Sequence, residues 1–127
     1  MEDSDSLIAF REEVKAWLRA SCPLSQRRPI VQKEQIWAGR QRHFHSEDAR
    51  RWFEAARDRG FTAPEWPVRY GGAGLSVTEA SILREEMQAL GCRPPLYDQG
   101  LWMLGPALLV FGSEAQKQQH LPAICRG

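Results

Sequence analysis

Residues 60–76 read GFTAPEWPVRYGGAGLS, and the composition of this stretch decides the fold class. Two prolines and three glycines fall between Pro64 and Gly74, which excludes a regular helix. A central β-strand is excluded as well, because proline cannot donate to a ladder of backbone hydrogen bonds. We therefore predict a rigid loop that fixes the path of the chain into the next helix. Gly72 is expected to adopt a positive φ in this loop, so that Gly72→Val lowers stability.

Two amphipathic helices are predicted before this loop. The first is capped by Ser6 and stopped by Pro23, and its apolar residues at steps of three and four are Leu7, Phe10, Val14, Trp17 and Leu18. The second begins after Ser46 and ends at Gly60, and its buried face is Ala49, Trp52, Phe53 and Ala56. Residues 23–45 have no comparable period, so they predict an irregular connector with at most one short helix over 35–42.

Three further helical segments are predicted after the loop. Two begin with a capping box, in which a serine and a Glu or Gln three residues later bond each other's backbone N–H: Ser76 with Glu79, and Ser113 with Gln116. The first of these carries the stripe Ala80, Leu83, Met87 and Leu90 and ends at Gly91. Between them an apolar series ends at Phe111, expected in the core, with Pro106 either kinking that helix or starting its second part. No segment alternates with the period of strands, so we predict an all-α fold of about five to six helices.

Length and charge narrow the class of protein. The chain has 127 residues, enough for one domain, with 43% apolar and 26% charged residues, which excludes disorder and a collagen-like fibre. A nucleic-acid binder would use Arg27, Arg28, Arg40, Arg42, Arg50 and Arg51. The formal net charge of +1 disfavours that function, because the phosphate backbone needs a basic field.

The cysteines and the N-terminus indicate the compartment. Cys22, Cys92 and Cys125 are odd in number and lack Cys-x-x-Cys spacing, which argues against a disulfide framework and a zinc knuckle and favours a reducing compartment. No apolar run is long enough to span a membrane, and residues 1–6 are acidic where a signal peptide would be basic. We expect a cytoplasmic protein.

Isolated side chains offer weak signals for chemistry. The glycines of residues 70–74 are compatible with a phosphate-binding loop, but no strand precedes them and the Gly-x-Gly-x-x-Gly spacing is absent, so a tight turn is favoured. His43 and His45 could share a metal only on an extended segment, and solvated histidines are the simpler interpretation. Trp66 is expected to anchor the loop rather than contact a ligand. Glu85 and Glu86 beside Arg84 indicate an ordinary solvated helix face.

Three segments carry a resemblance to a known family. Residues 60–76 with Glu85 and Glu86, then residues 104–117, then residues 121–127, resemble in order and spacing the N-terminal helical domain of the acyl-CoA dehydrogenases. The resemblance covers residues 10–127, and the connector carries little of it. The pair Trp66-Pro67 most resembles bacterial members that act on bulky, dicarboxylic or steroid-derived thioesters.

The resemblance implies a division of labour between domains. Family members have this helical domain, a middle β-domain and a C-terminal bundle; FAD lies between the latter two, and a carboxylate in the bundle takes the substrate α-proton. Electrons then pass to an electron-transfer flavoprotein. Residues 1–127 match only the first domain, with the β-domain and bundle absent. We therefore expect no catalytic, cofactor-binding or metal-binding residue here, no FAD bound to this chain alone, and no activity from it alone.

In relatives this domain supplies one wall of the acyl pocket, from the helix that here begins near Asp98. By that resemblance the candidates to face the acyl chain of an acyl-CoA substrate are Leu96, Gln99, Trp102 and Met103. The alternative for all four is helix–helix core. A wide residue such as Trp102 would shorten the pocket, and discrimination of one methylene is worth about 1–3 kcal/mol.

Two functions follow from the resemblance. The first is the N-terminal domain or a fragment of an FAD-dependent acyl-CoA dehydrogenase of fatty acid metabolism. The second is a stand-alone helical interaction subunit that docks on a full-length relative. In both, an apolar face normally covered by other domains is expected to favour self-association or binding to a homologous subunit.

Overall fold

The computed structural model describes residues 2–29, 44, 46–96 and 103–126. Within these ranges the chain is built from helices, and no residue is in a β-strand, which confirms the all-α prediction. The α-helices are α1 (Glu2–Ser21), α2 (Glu47–Asp58), α3 (Val77–Leu90), α4 (Gly105–Phe111) and α5 (Glu114–Cys125). Short 3-10 helices occupy Leu24–Gln26 and Val68–Tyr70. The helix predicted over residues 35–42 lies outside the described residues.

The predicted helix signals are confirmed at most ends. The hydroxyl of Ser46 accepts from the N–H of Ala49 at 3.1 Å, and both predicted capping boxes are complete. Gly91 ends α3 with φ +80°, in the left-handed region that favours glycine. The cap predicted at Ser6 is wrong, because α1 begins at Glu2. Helical hydrogen bonding does not require an apolar residue in each turn, so the helix starts before its apolar stripe does.

The first core cluster lies where α1, α2 and α3 meet. Its buried members are Val14, Leu18, Cys22, Trp52, Ala56, Phe61 and Leu83. The ring of Trp17 lies 5.6 Å from that of Trp52 and makes an edge-to-face contact with Phe61 at 4.9 Å. The periodicity predicted most of this core correctly, since five of the buried members fall on the predicted stripes. Cys22 and Phe61 do not, because each follows the end of a helix.

The contact between α1 and α3 is also ionic. Arg11 donates to Glu85 at 2.9 Å and to Glu86 at 2.8 Å. The Glu86 side chain is only 12% exposed, so the prediction of an ordinary solvated face is wrong for it. The sequence pattern of α3 does not contain Arg11, which reaches these carboxylates only because α1 packs along α3.

A second cluster joins the loop to α5, with α4 packed against it. Its buried members are Ala63, Trp66, Tyr70, Leu121 and Cys125, and Leu108 and Leu109 of α4 pack on them. Pro106 lies in the first turn of α4, so it starts that helix. The prediction of Phe111 in the core is wrong, because its side chain is 87% exposed. Phe111 lies only about 60° around the helix from Leu108. It is the last residue of α4, however, and the second cluster packs on Leu108 and Leu109 without covering it.

Candidate functional site

The loop between α2 and α3 is held by backbone contacts. Gly71 and Gly74 have φ of +98° and +66°, but Gly72 does not have a positive φ, so the reason predicted for its glycine is wrong. A Cβ on Gly72 would lie 2.3 Å from the carbonyl oxygen of Trp66 and 2.7 Å from that of Ala63. The loop therefore needs glycine at residue 72 because two stretches of backbone approach each other there.

The amide groups of the glycine cluster point into the loop. The N–H groups of Gly71, Gly72 and Gly74 donate to the carbonyl oxygens of Val68, Pro67 and Trp66 at 2.9, 3.2 and 2.9 Å. A loop that binds phosphate instead presents its N–H groups to the ligand. The tight-turn interpretation is thus confirmed, and these residues do not fit the diphosphate of a flavin or of coenzyme A.

Trp66 anchors this loop. Its side chain is buried against Tyr70 and Leu121 in the second core cluster, and its backbone N–H donates to Ala63 at 3.2 Å. The anchoring role predicted from the sequence is therefore confirmed. The same residue also borders a groove beside the loop.

That groove has a volume of about 500 Å³ and lies between the loop, α3 and residues 94–96. Its lining includes Phe61, Trp66, Met87, Pro95 and Leu96, so it is mainly apolar. At the rim, Arg84 approaches Glu65 at 3.8 Å. Among the described residues that line the groove there is no histidine or cysteine. The chemistry of this described lining suits the burial of an apolar ligand segment.

Of the four predicted pocket residues, the described ranges contain Leu96 and Met103. Leu96 is 4% exposed, packs with Ala49 and Phe53, and also lines the groove. Met103 precedes α4 and is 67% exposed. Gln99 and Trp102 lie outside the described residues. The structure therefore places one candidate in the groove wall and another on an open surface.

Sequence reasoning missed the residue that positions the groove wall. Arg93 is buried, and its guanidinium donates to the carbonyl oxygens of Arg28 and Pro29, each at 3.2 Å. Its own carbonyl accepts from the indole N–H of Trp52 at 2.9 Å. These bonds fix residues 93–96 against α2 and the segment after α1. In the sequence, only the adjacent Pro94 and Pro95 indicate that the backbone of this segment has a restricted conformation.

The described residues were also searched for a metal site and for a membrane-spanning helix. Among the residues whose placement is described, no three or more His, Cys, Asp or Glu side chains gather as a metal site would require. His43 and His45 lie outside those residues. No helix in the same ranges has the length and apolar character needed to cross a bilayer.

A tyrosine–carboxylate bond ties the loop to α5. The buried Tyr70 hydroxyl donates to Glu114 at 2.6 Å. This bond holds the pKa of Glu114 below its ordinary value and raises the pKa of Tyr70. Glu114 lies in the first turn of α5, where the helix dipole also favours a carboxylate.

This bond predicts an acid-side loss of stability. Because the folded pKa of Glu114 is depressed, its contribution is fully present above the unfolded pKa of about 4.3 and is lost as pH falls through the folded value. We expect Tm to fall less steeply below about pH 4.5 in Tyr70→Phe than in the natural chain. Thermal unfolding followed by circular dichroism at several pH values measures this. Glu47, whose pKa is lowered by Arg50, titrates in both proteins and cancels in the comparison. If the curves of Tm against pH are parallel for the two proteins, the Tyr70–Glu114 bond does not contribute to the acid-side loss of stability.

Comparison with known proteins identifies what the chain is similar to. The family model described as "Acyl-CoA dehydrogenase, N-terminal domain" matches residues 4–127. Acyl-CoA dehydrogenase IpdE1 of Mycolicibacterium smegmatis is 29% identical over 115 residues, which is 91% of this chain and 28% of that protein. Acyl-CoA dehydrogenase FadE12 of Mycobacterium tuberculosis is 34% identical over 83 residues, 65% of this chain and 21% of that protein.

Comparison with solved structures also finds similarity to an acyl-CoA dehydrogenase. The Tcur3481-Tcur3483 steroid ACAD superposes with a TM-score of 0.62 at 27% identity, covering 96% of this chain and 29% of that one. The chain therefore spans less than a third of the length of the relatives that it matches.

Proposed function

The chain belongs to the acyl-CoA dehydrogenase family as its N-terminal domain, and we propose that it forms one wall of the acyl pocket in an FAD-dependent enzyme that oxidises acyl-CoA thioesters. The observation that carries this proposal is the apolar groove of about 500 Å³ that Leu96 lines. Residues 97–102, which contain Gln99 and Trp102, follow Leu96 in the sequence. Met103 lies at the far end of that segment with its side chain accessible.

In this proposal the chain contacts the acyl group and shapes its pocket, and the reacting groups lie in other domains of the enzyme. The described lining of the groove is mainly apolar, and the glycine loop does not fit the flavin diphosphate, so no redox step is assigned to these residues. FAD, the base and the transfer of electrons to an electron-transfer flavoprotein belong to the full-length parent of this proposal. A cytoplasmic location is also part of it, supported by three cysteines that are all free thiols.

We propose a bulky, steroid-derived acyl group as the substrate class. The support is twofold: the solved relative is named a steroid ACAD, and Trp66, the first residue of the pair Trp66-Pro67, lines the groove. An apolar groove selects by size and shape, because an unfilled or overfilled volume changes the binding free energy. A wide groove thus favours a ring system over a short straight chain.

A domain exchange tests the pocket-wall role. Residues 4–127 would replace the matching segment of the M. smegmatis relative, and the variant Met103→Trp would be compared with the unmodified chimera. If Met103 faces the acyl chain, the larger side chain should lower kcat/KM for a steroid-derived acyl-CoA about tenfold relative to butyryl-CoA. Flavin absorbance and Tm are measured on each chimera, so that a defect in folding is distinguished from a change in selectivity.

Val110→Trp is the matched control, since Val110 is also exposed but is not a pocket candidate. It should leave the ratio of the two kcat/KM values unchanged. An equal ratio in the Met103 variant and in the chimera would contradict the role of Met103. One yellow flavin bound tightly per molecule of the 127-residue chain alone would contradict the proposed division of labour.

The alternative, a subunit that docks on a full-length relative, has one observation in its favour. Four large apolar side chains on or next to α4 are exposed: Met103, Leu104, Val110 and Phe111. Such a row is typical of a surface that another polypeptide covers. Co-elution of the chain with a full-length relative in size-exclusion chromatography, lost in Phe111→Ser, would favour this function over the domain role.

A further inference from the structure

Two cysteines distant in sequence come together behind the groove wall. Cys22 directly follows α1, and its N–H donates to Leu18 at 2.9 Å. Cys92 follows the glycine that ends α3, and its N–H donates to Met87 at 2.8 Å. Each cysteine is therefore fixed at the C-terminal end of a long helix.

The backbones that carry the two cysteines are in contact. The N–H of Arg93 donates to the carbonyl of Gln26 at 3.0 Å. A Cβ built on Gly91 would lie 3.0 Å from the carbonyl oxygen of Arg27. The segment that begins at Cys22 thus lies directly against the segment that contains Cys92, held by contacts that involve neither sulfur.

The two side chains also meet. Cys22 is buried in the first core cluster and Cys92 packs against the same cluster. The Cys22 thiol points to the carbonyl oxygen of Pro23 at 3.9 Å, and the two thiols are near enough to shift each other's pKa. Arg27 is fixed beside them, donating to the carbonyl oxygens of Cys22 at 2.8 Å and Arg19 at 2.9 Å. Cys92 is partly exposed, so a small reagent can reach it.

The environment divides the roles of the two thiols. Cys22 is buried and Cys92 is partly exposed, so a reagent from solvent meets Cys92 first. The interaction between the two thiols lowers the pKa of Cys92 and raises the pKa of Cys22, and Arg27 also favours the Cys92 thiolate. Cys92 is therefore placed to attack, and Cys22 to resolve from a site protected from solvent.

We propose that Cys22 and Cys92 form a reversible dithiol–disulfide pair, oxidised by a low-molecular-weight disulfide. The Cys92 thiolate attacks one sulfur of that disulfide, which forms a mixed disulfide and expels one small thiolate. Cys22 then gives up its proton and attacks the Cys92 sulfur, which expels the second small thiolate. Two electrons pass from the protein to the oxidant, which leaves as two thiols. The new bond joins the end of α1 to the end of α3.

Glutathione disulfide is the probe for this proposal. The reduced full-length chain is incubated in glutathione buffers of increasing oxidised fraction, then unfolded, titrated for thiols and weighed by mass spectrometry. We expect two of the three thiols to be lost, the mass to fall by two hydrogen atoms, and proteolysis to yield one cross-linked peptide containing Cys22 and Cys92. Tm should rise by about 5 °C or more, because the cross-link restricts the unfolded chain.

Variants separate the two steps. Cys22→Ser should retain glutathione on Cys92, whereas Cys92→Ser should remain unmodified. Cys125→Ser is the matched control and should behave as the natural chain, since Cys125 is buried and burial raises its pKa to about 11. Three titratable thiols after oxidation, a stable glutathione adduct on the natural chain, or a disulfide between two chains would each overturn the proposal.

Discussion

Gly72→Val is expected to lower the free energy of unfolding by about 3 kcal/mol or more, at the upper end of what overpacking costs. The new Cβ would lie 2.3 Å from the carbonyl oxygen of Trp66 and 2.6 Å from its Cβ. Neither is the end of a flexible side chain, so the loop itself must move. Trp66 belongs to the second core cluster, so this movement would disturb the packing of α5 as well.

Chemical unfolding in urea, followed by circular dichroism, measures the loss. Gly72→Ala tests the cause, because its single methyl group already makes the close contacts and should be nearly as damaging. Gly74→Ala is the matched control. Its φ is +66° and its Cβ would meet mainly a methyl group of exposed Val68, so it should cost only about 1–2 kcal/mol. A smaller loss in Gly72→Ala than in Gly74→Ala would contradict the close-approach explanation.

Trp52→Ala is expected to lower the free energy of unfolding by about 3–5 kcal/mol, the usual cost of emptying a buried aromatic site. The Trp52 side chain is fully buried and contacts the ring of Trp17 from α1. Its indole N–H also donates to the carbonyl of Arg93 at 2.9 Å. The substitution therefore leaves a cavity among three helices and a buried carbonyl without that donor.

Trp52→Phe separates the two contributions. The ring is largely replaced but the indole N–H is lost, so we expect stability to fall by about 1–3 kcal/mol from the lost hydrogen bond and a smaller cavity. Urea unfolding measures both variants against Leu24→Ala, which truncates an exposed leucine and should change little. Equal stability of Trp52→Ala and the natural chain would show that α2 is not held by this residue.

Local signals in the sequence were sufficient for the helices and for the character of the loop. The capping boxes at Ser76 and Ser113 and the left-handed glycine at residue 91 each depend on atoms within a few residues. Chain-local geometry determines such features, so a local pattern reveals them. The resemblance of residues 60–76 and 104–127 to the family was readable for the same reason, since it rests on loops and helix boundaries in order.

Contacts between segments that are distant in sequence could be recognised only in the tertiary structure. Gly72 is required by the approach of the Trp66 and Ala63 carbonyls, not by its own φ. Glu86 is largely buried, with Arg11 of α1 bonded to it. Phe111 is exposed although Leu108, three residues earlier on the same side of α4, packs on the second cluster. Among the pocket candidates, only packing could show that Leu96 lies in a wall and Met103 on a surface. A sequence records which side chains share a face of one helix, but it does not record which other segment that face meets.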